Sequence, residues 1–375
     1  MPLPLAGLRV LDLSRLLPGA FATLMLAELG AEVIKIEDPI GGDPMRALPP
    51  LVNGRGIYDL LLSRGKKSVV LDLRLAESAV LLDQLVATAD IVVESFRPRT
   101  ARKLGVSGEQ LRARYPRLIH CAITGYGQTG PYAEHPGHDL NYVAVSGMLA
   151  ADGRRPGELP KMFIADVGGG AMTSVIGILA AMVGRERHGE GASLDVSMHD
   201  AALYWVMLPG ARDVVEGGAG AVDDLPTYGA HACYNIYETR DGQRIALGAL
   251  EKKFWVAFCN GAGRPDLSAR HLTDAEDQVA LLRDVRALFA TRTRDEWMAV
   301  FAGHDVCLTP VNTPAEALRD PHAIARGTVR AEPGLRGIRP PFIQEPAVLA
   351  PAPELGEHTE SVLSALKQAR KRPEK

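Results

Sequence analysis

The first segment restricts the fold more than any other. "LRVLDLS" is a short, strongly apolar strand, "LLPGA" turns it into the helically spaced "FATLMLAELG", and "AEVIKIE" is a second strand. Strand, crossover helix and strand make a βαβ unit, which requires parallel pairing and a right-handed connection. Pro18 suits the first helical turn and Gly30 can end the helix. The alternation continues through "KSVVLDLR", "AESAVLLDQLVATA", "DIVVESF", "GEQLRARYP" and "LIHCAITGYG". This predicts an α/β fold with a mostly parallel, Rossmann-like sheet covered on both faces. No GxGxxG is present, so the dinucleotide fingerprint is missing. In such sheets ligands sit at the carboxyl ends of strands. "ESFRPR", "TGYGQTG" and "PGHDLNYVAVSG" all follow strand ends.

Further along, "GGGAMTSVIGILAAMVGRER" predicts an apolar helix with basic residues in its last turn, where the dipole favours them. "ASLDVSM" reads as a strand and "HDAALYWVML" as a helix. The expected organisation is a large α/β domain over 1–200, a linker over 201–229, a smaller α+β domain over 230–325 and a C-terminal segment over 326–375 that returns to the large domain. The linker expectation rests on the Gly-, Asp- and Pro-rich "PGARDVVEGGAGAVDDLP". "CYNIYETRDGQRIALGAL" reads as a hairpin through an Arg-Asp-Gly turn. "VCLTPVNTPAEALRD" reads as a strand entering a Pro-started helix, and the Pro-rich C-terminal part as an extended excursion with one closing helix and a basic tail.

Composition sets limits on function. The chain has 375 residues, 46% of them hydrophobic, with a net charge of -3, so bulk nucleic-acid binding is not expected. The longest apolar run considered, "AMTSVIGILAAMVG", is shorter than a membrane span, and "MPLPLAGLRV" lacks the pattern of a signal peptide. Cys121, Cys233, Cys259 and Cys307 are scattered without a CxxC, which predicts buried free thiols, a cytoplasmic location and no metal site.

Taken alone, the polar residues near the strand ends have ordinary readings. His138 follows a Pro-Gly turn, Asp139 suits an Asx-turn or cap, Asp166 precedes a Gly-started helix as an N-cap would, and Glu251 opens "EKKFW" as a first-turn acid. They also permit chemistry. An imidazole and a buried carboxyl are the groups needed to move a proton on either face of a planar intermediate. Gly168, Gly169 and Gly170 suit a close backbone approach, with helix N–H groups free to stabilise an oxyanion.

The motifs are recognisable together. The sequence resembles the family III CoA-transferase superfamily, which contains carnitine CoA-transferase, formyl-CoA transferase and α-methylacyl-CoA racemase. The resemblance is carried in order by "LAGLRVLDLSRLLPGAFATLMLAELGAEVIKIE", "GGDPMR", "RGKKSVVLDLR", "ADIVVESFRPRTARKLG", "ITGYGQTGPYAEHPGHDLNYVAVSG", "FIADVGGG" and "GEGASLDVSMHDAALY", with "YNIYETRDGQRIALGALEKKFW" and "DVCLTPVNTPAEAL" extending it into the smaller domain. "GHDLNY" and "FIADVGGG" resemble the racemase branch most closely. The resemblance implies His138, Asp166 and Glu251 as catalytic residues, with Glu251 fixing the His138 tautomer. It implies an interlocked homodimer, an acyl-CoA substrate whose CoA is part of the substrate and not a resident cofactor, and proton transfer at C2 through an enolate. The alternative it leaves open is a CoA-transferase, with Asp166 as nucleophile and His138 incidental.

CoA carries phosphates, so the resemblance implies basic and apolar contacts from Arg46, Arg64, Lys67, Leu71, Arg74, Phe96, Arg97 and Lys103. Asp38 stands where racemase relatives often carry a basic residue facing the adenine. Tyr126, Tyr142, Met162, Phe163, Met198, Tyr204 and Trp205 are candidates for an apolar acyl groove, and each is equally a core residue.

Overall fold

The computed structural model describes residues 3–151, 157–211, 226–332, 335–343 and 345–371. The chain divides into two compact units, 1–208 with 330–375, and 209–329. The C-terminal segment thus belongs to the large unit. Residues 201–206, expected in a linker, continue the helix Met198–Val206, and 212–225 lie outside the described residues.

The large unit is built on six strands: β1 (Arg9–Leu13), β2 (Glu32–Glu37), β3 (Lys66–Val70), β4 (Ile91–Glu94), β5 (Ile119–Thr124) and β6 (Ser193–Ser197). They lie in the order β3-β2-β1-β4-β5-β6, and every pair is parallel. Val10 pairs with Val33 on one side and Ile91 on the other. β4 and β5 are buried along their whole length, as a sheet covered on both faces requires. One core joins α1 (Leu16–Glu28) and the later helix Thr173–His188 to one face of the sheet, through Ala22, Leu26, Val175 and Ile178. The other core joins α2 (Ala76–Val86), α3 (Pro98–Leu104) and the C-terminal helix to the opposite face, through Leu82, Leu85, Ala101 and Val362. The strand order reverses between β1 and β4, and their adjoining carboxyl ends form the switch point where such sheets bind ligands.

The C-terminal segment is stitched to this frame. Gly65 N–H donates to Ala350 O at 2.9 Å, His358 N–H to Ser68 O at 2.9 Å and Val70 N–H to Thr359 Oγ1 at 3.0 Å. A Pro-rich chain makes few bonds of its own, so its carbonyls need outside donors. The Arg46 and Arg55 guanidiniums supply them, reaching Pro353 O at 3.2 and 2.7 Å.

The helix that follows the Gly run differs from expectation. It starts at Ile164, with a wide π-helical stretch over Ile164–Met172 that continues into the α-helix Thr173–His188. Among the described residues this 25-residue helix, with hydropathy 1.7, is long and apolar enough by length and composition to cross a membrane, contrary to the sequence reading. The difference arises because the Gly run lies inside the helix, which begins at Ile164, and does not open it. A Cβ on Gly168 would stand 2.3 Å from the Trp205 ring, and one on Gly170 2.9 Å from Pro18. The glycines therefore let α1 and the helix Met198–Val206 approach closely. They do not present a helix N-terminus to a ligand.

In the smaller unit, Tyr234–Glu238 and Arg244–Gly248 form the expected hairpin, with Arg244 paired to Glu238 and Leu308–Pro310 added antiparallel to the second strand. Trp255, Phe258, Phe289, Trp297 and Phe301 fill its core. Cys121, Cys233 and Cys259 are buried free thiols as expected, whereas Cys307 is exposed.

Candidate active site

Two clefts adjoin at the switch point, both within the large unit. The first, of about 610 Å³, lies over the carboxyl ends of β1 and β2 and is lined by Arg15, Lys35, Asp38, Leu71, Arg74, Phe96 and Lys103, among others. The second, of about 580 Å³, is lined by Arg15, Phe96, Arg97, His138, Tyr142 and Asp166, among others. Arg15 and Phe96 belong to both, so the clefts form one path.

A buried charge network forms the floor beneath the first cleft. Lys35 Nζ meets Asp43 Oδ2 at 3.0 Å and donates to Ser14 O at 3.0 Å. Asp12 accepts from Ser14 N–H at 2.9 Å and Thr23 Oγ1 at 2.6 Å, and faces Lys66 Nζ at 3.4 Å. Burial opposes charge on Asp12, yet Lys35 and Lys66 beside it outweigh that effect and hold its carboxyl below the ordinary range. The network fixes the turn after β1. Arg15 N–H donates to Ser95 Oγ at 2.9 Å, and Leu16 takes a φ of 61°, a left-handed conformation costly for a branched side chain.

The second cleft is less well paired. α4 (Asp139–Val145) starts directly after His138, whose backbone N–H donates to Asn141 Oδ1 at 3.0 Å. Tyr142 pins the turn from behind. Its hydroxyl donates to Gly137 O at 2.6 Å, and a Cβ on Gly125 or Gly137 would stand 2.5 or 2.6 Å from its ring. The His138 imidazole is exposed towards the cleft. Asp166 lies in the first turn of the wide helix and is half-buried. Burial, and then the nearby Asp139 carboxylate, push its carboxyl up to about 7. A carboxyl held there exchanges a proton at neutral pH, as a general acid or base must.

Residues 5–359 match CoA-transferase family III. The chain belongs to this family. It is 32% identical to human α-methylacyl-CoA racemase over 96% of this chain and 92% of that enzyme. It is 34% identical to succinate–glutarate CoA-transferase of Agrobacterium fabrum over 97% of this chain and 96% of that enzyme. A crystal structure of a CAIB/BAIF family protein from Brucella suis superposes with a TM-score of 0.83 at 30% identity, covering 98% of this chain and all of that one. The relatives of this family III protein thus include a racemase and a CoA-transferase at similar identity.

The structure separates the residues that the resemblance grouped. Leu71, Arg74, Phe96 and Lys103 line the first cleft, and Arg97, His138 and Asp166 the second. Arg46, Arg64 and Lys67 line neither cleft. The Arg46 guanidinium lies on Glu37 at 2.7 Å and near Asp59 at 3.5 Å. Arg64 is buried against Glu28 at 3.8 Å, and Lys67 meets Glu32 at 2.5 Å. Arg64 and Lys67 stand at the amino end of β3, away from the end that binds ligands. Arg74 lines its cleft with its guanidinium laid on Asp72, at 2.7 and 2.9 Å.

Glu251 belongs to the smaller unit and occupies the N-cap position of α5 (Lys252–Gly261) without a side-chain cap bond. Asp166 is not an N-cap, because its helix begins before it. Of the acyl-groove candidates, Tyr142 and Met198 line the second cleft, while Met162, Phe163, Tyr204 and Trp205 are exposed. Sequence reasoning missed Arg15, Lys35 and His135. The signal for Arg15 was present, since it stands two positions past the carboxyl end of β1.

Proposed function

We propose that this protein racemises 2-methylacyl-CoA thioesters by moving the C2 proton through an enolate. The observation that carries the reading is the cleft shared by His138 and Asp166, with the Asp166 carboxyl held near 7. The thioester carbonyl acidifies C2. Neutral His138 takes the proton from one face while protonated Asp166 delivers one to the other, and the reverse turnover exchanges the roles. The productive enzyme carries one proton on the pair in either direction, so both enantiomers obey one pH profile. The first cleft takes the phosphates and adenosine of CoA, with Lys103, Arg74 and Arg15 as cations and Phe96 as an apolar wall. Glu251 is proposed, on the family resemblance, as a third catalytic residue. The exposed Ile176, Leu203, Tyr204 and Leu208 side chains support a homodimer that covers them.

A second reading has its own support. A CoA-transferase relative is as similar as the racemase. In that reaction ionised Asp166 attacks the thioester carbonyl, CoA thiolate leaves, and an acyl-aspartyl anhydride forms. Incubation with a 2-methylacyl-CoA in deuterated water separates the two. Deuterium at C2 with loss of optical purity is expected. CoA exchange onto an added carboxylic acid, with no label at C2, overturns the racemase reading.

A further inference from the structure

Glu94 ends β4 at the switch point and is fully buried, and the proposed chemistry does not use it. Its Oε2 accepts the Phe96 N–H at 2.7 Å, just where the chain leaves the strand. Between them, Ser95 accepts the Arg15 N–H on its Oγ at 2.9 Å. Phe96 and Arg15 line both clefts, and Ser95 lines the second. One carboxylate thus holds the turn that the whole path runs over.

The other carboxylate oxygen faces a buried imidazole. Glu94 pairs with Ala122 of β5, and His120 stands two positions earlier on the same face of the sheet. His120 is only 2% exposed, and its Nε2 faces Glu94 Oε1 at 3.6 Å. Neither atom has a hydrogen-bond partner among the described residues. His120 Nδ1 lies 3.1 Å from Ser193 Oγ on β6. The helix Gly108–Arg114 closes this pocket, since a Cβ on Gly108 would clash with Ser193 Oγ and stand 2.8 Å from His120 Nδ1. A carboxylate oxygen only accepts, so the imidazole proton belongs on Nε2, with the Ser193 hydroxyl donating to Nδ1.

We propose that Glu94 is a positioning residue for the CoA thioester, holding the Ser95–Phe96 turn through the Phe96 N–H while His120 backs it from beneath. The turn uses the reach of the side chain and an acceptor oxygen, and not the charge. The consequence for CoA rests on the placement of CoA in the first cleft, and it is the same for a racemase and a CoA-transferase.

The test compares Glu94→Asp, which keeps the charge and loses a methylene of reach, with Glu94→Gln, which keeps the reach and an acceptor oxygen. Hydrogen exchange at the Phe96 amide is read by NMR and Kd for CoA by calorimetry, both well below the unfolding midpoint of each full-length variant. In Glu94→Asp the Phe96 amide exchanges faster and Kd rises about tenfold, the scale of one hydrogen bond to a charged group. Glu94→Gln remains close to wild type in both. Wild-type values in Glu94→Asp overturn the proposal. Equal losses in the two variants also overturn it, because they mark a packing defect. If Glu94→Asp does not fold, Glu94→Gln decides, and faster Phe96 exchange there overturns the proposal. If wild-type protein binds no CoA while Phe96 exchange still quickens in Glu94→Asp, the placement of CoA fails and the positioning of the turn stands.

Discussion

The two adjoining clefts use similar side chains with opposite pairing. Around the first, Lys35 is matched by Asp43, Arg74 by Asp72 and Arg15 by Asp38 at 3.8 Å. In the second, burial and the like charge of Asp139 push the Asp166 carboxyl up. Matched charges shape a surface and hold backbone in place. A carboxyl raised in a half-buried cleft is instead poised to exchange a proton. On the proposed reading, one half of the path holds the ligand and the other carries the chemistry.

The contrast is broken most severely at the second cleft. His138→Ala and Asp166→Asn are each expected to cut C2 exchange by roughly 10²–10⁴-fold, the usual contribution of a general acid or base. Full activity in either variant removes that residue from the mechanism. Next in size is Lys35→Met, which removes the cation that Asp43 meets at 3.0 Å and Asp12 at 3.9 Å and leaves Lys66 as the cation beside Asp12. Breaking such a buried pair costs about 3–5 kcal/mol, and urea unfolding measures it. An unchanged midpoint would mean that the network is not structural.

Smaller effects sharpen the comparison. Among the described residues Lys103 is a cation of the first cleft with no carboxylate partner in the structure. Lys103→Ala is expected to raise KM several-fold with kcat unchanged and to weaken its salt dependence, as loss of uniform binding does. A fall in kcat alone would place Lys103 nearer the chemistry. The smallest effect concerns stability. The folded pKa of Asp166 lies above its unfolded value, so its contribution is fully present below about 3.8 and is lost as pH rises through about 7. Asp166→Asn removes the penalty of ionising a half-buried group. Its melting temperature should exceed that of wild type most clearly above pH 7 and match it in acid. A variant less stable at alkaline pH would contradict the raised carboxyl.

Much of this was legible in the chain. The spacing of "LRVLDLS", "FATLMLAELG" and "AEVIKIE" specified the parallel sheet, because apolar strands alternating with helices have few other ways to bury themselves. The candidate cations show the limit. Arg64 and Lys67 stand at the amino end of β3, and Arg46 braces a segment some three hundred positions later in the sequence, bonding Pro353 O. Charge alone did not distinguish an arginine that binds ligand from one that binds carbonyls.

The sequence by itself determined the α/β class, the hairpin of the smaller unit, and the two residue types, imidazole and carboxyl, that the proposed chemistry needs. Tertiary structure decided which cations line a cleft, that the Gly run packs helices instead of opening one, and that Asp139 reaches back to the backbone of Asp166. The physical reason is range. Strand and helix periodicities are set by neighbours a few residues away, whereas burial and the field on a carboxyl depend on groups brought together from distant parts of the chain.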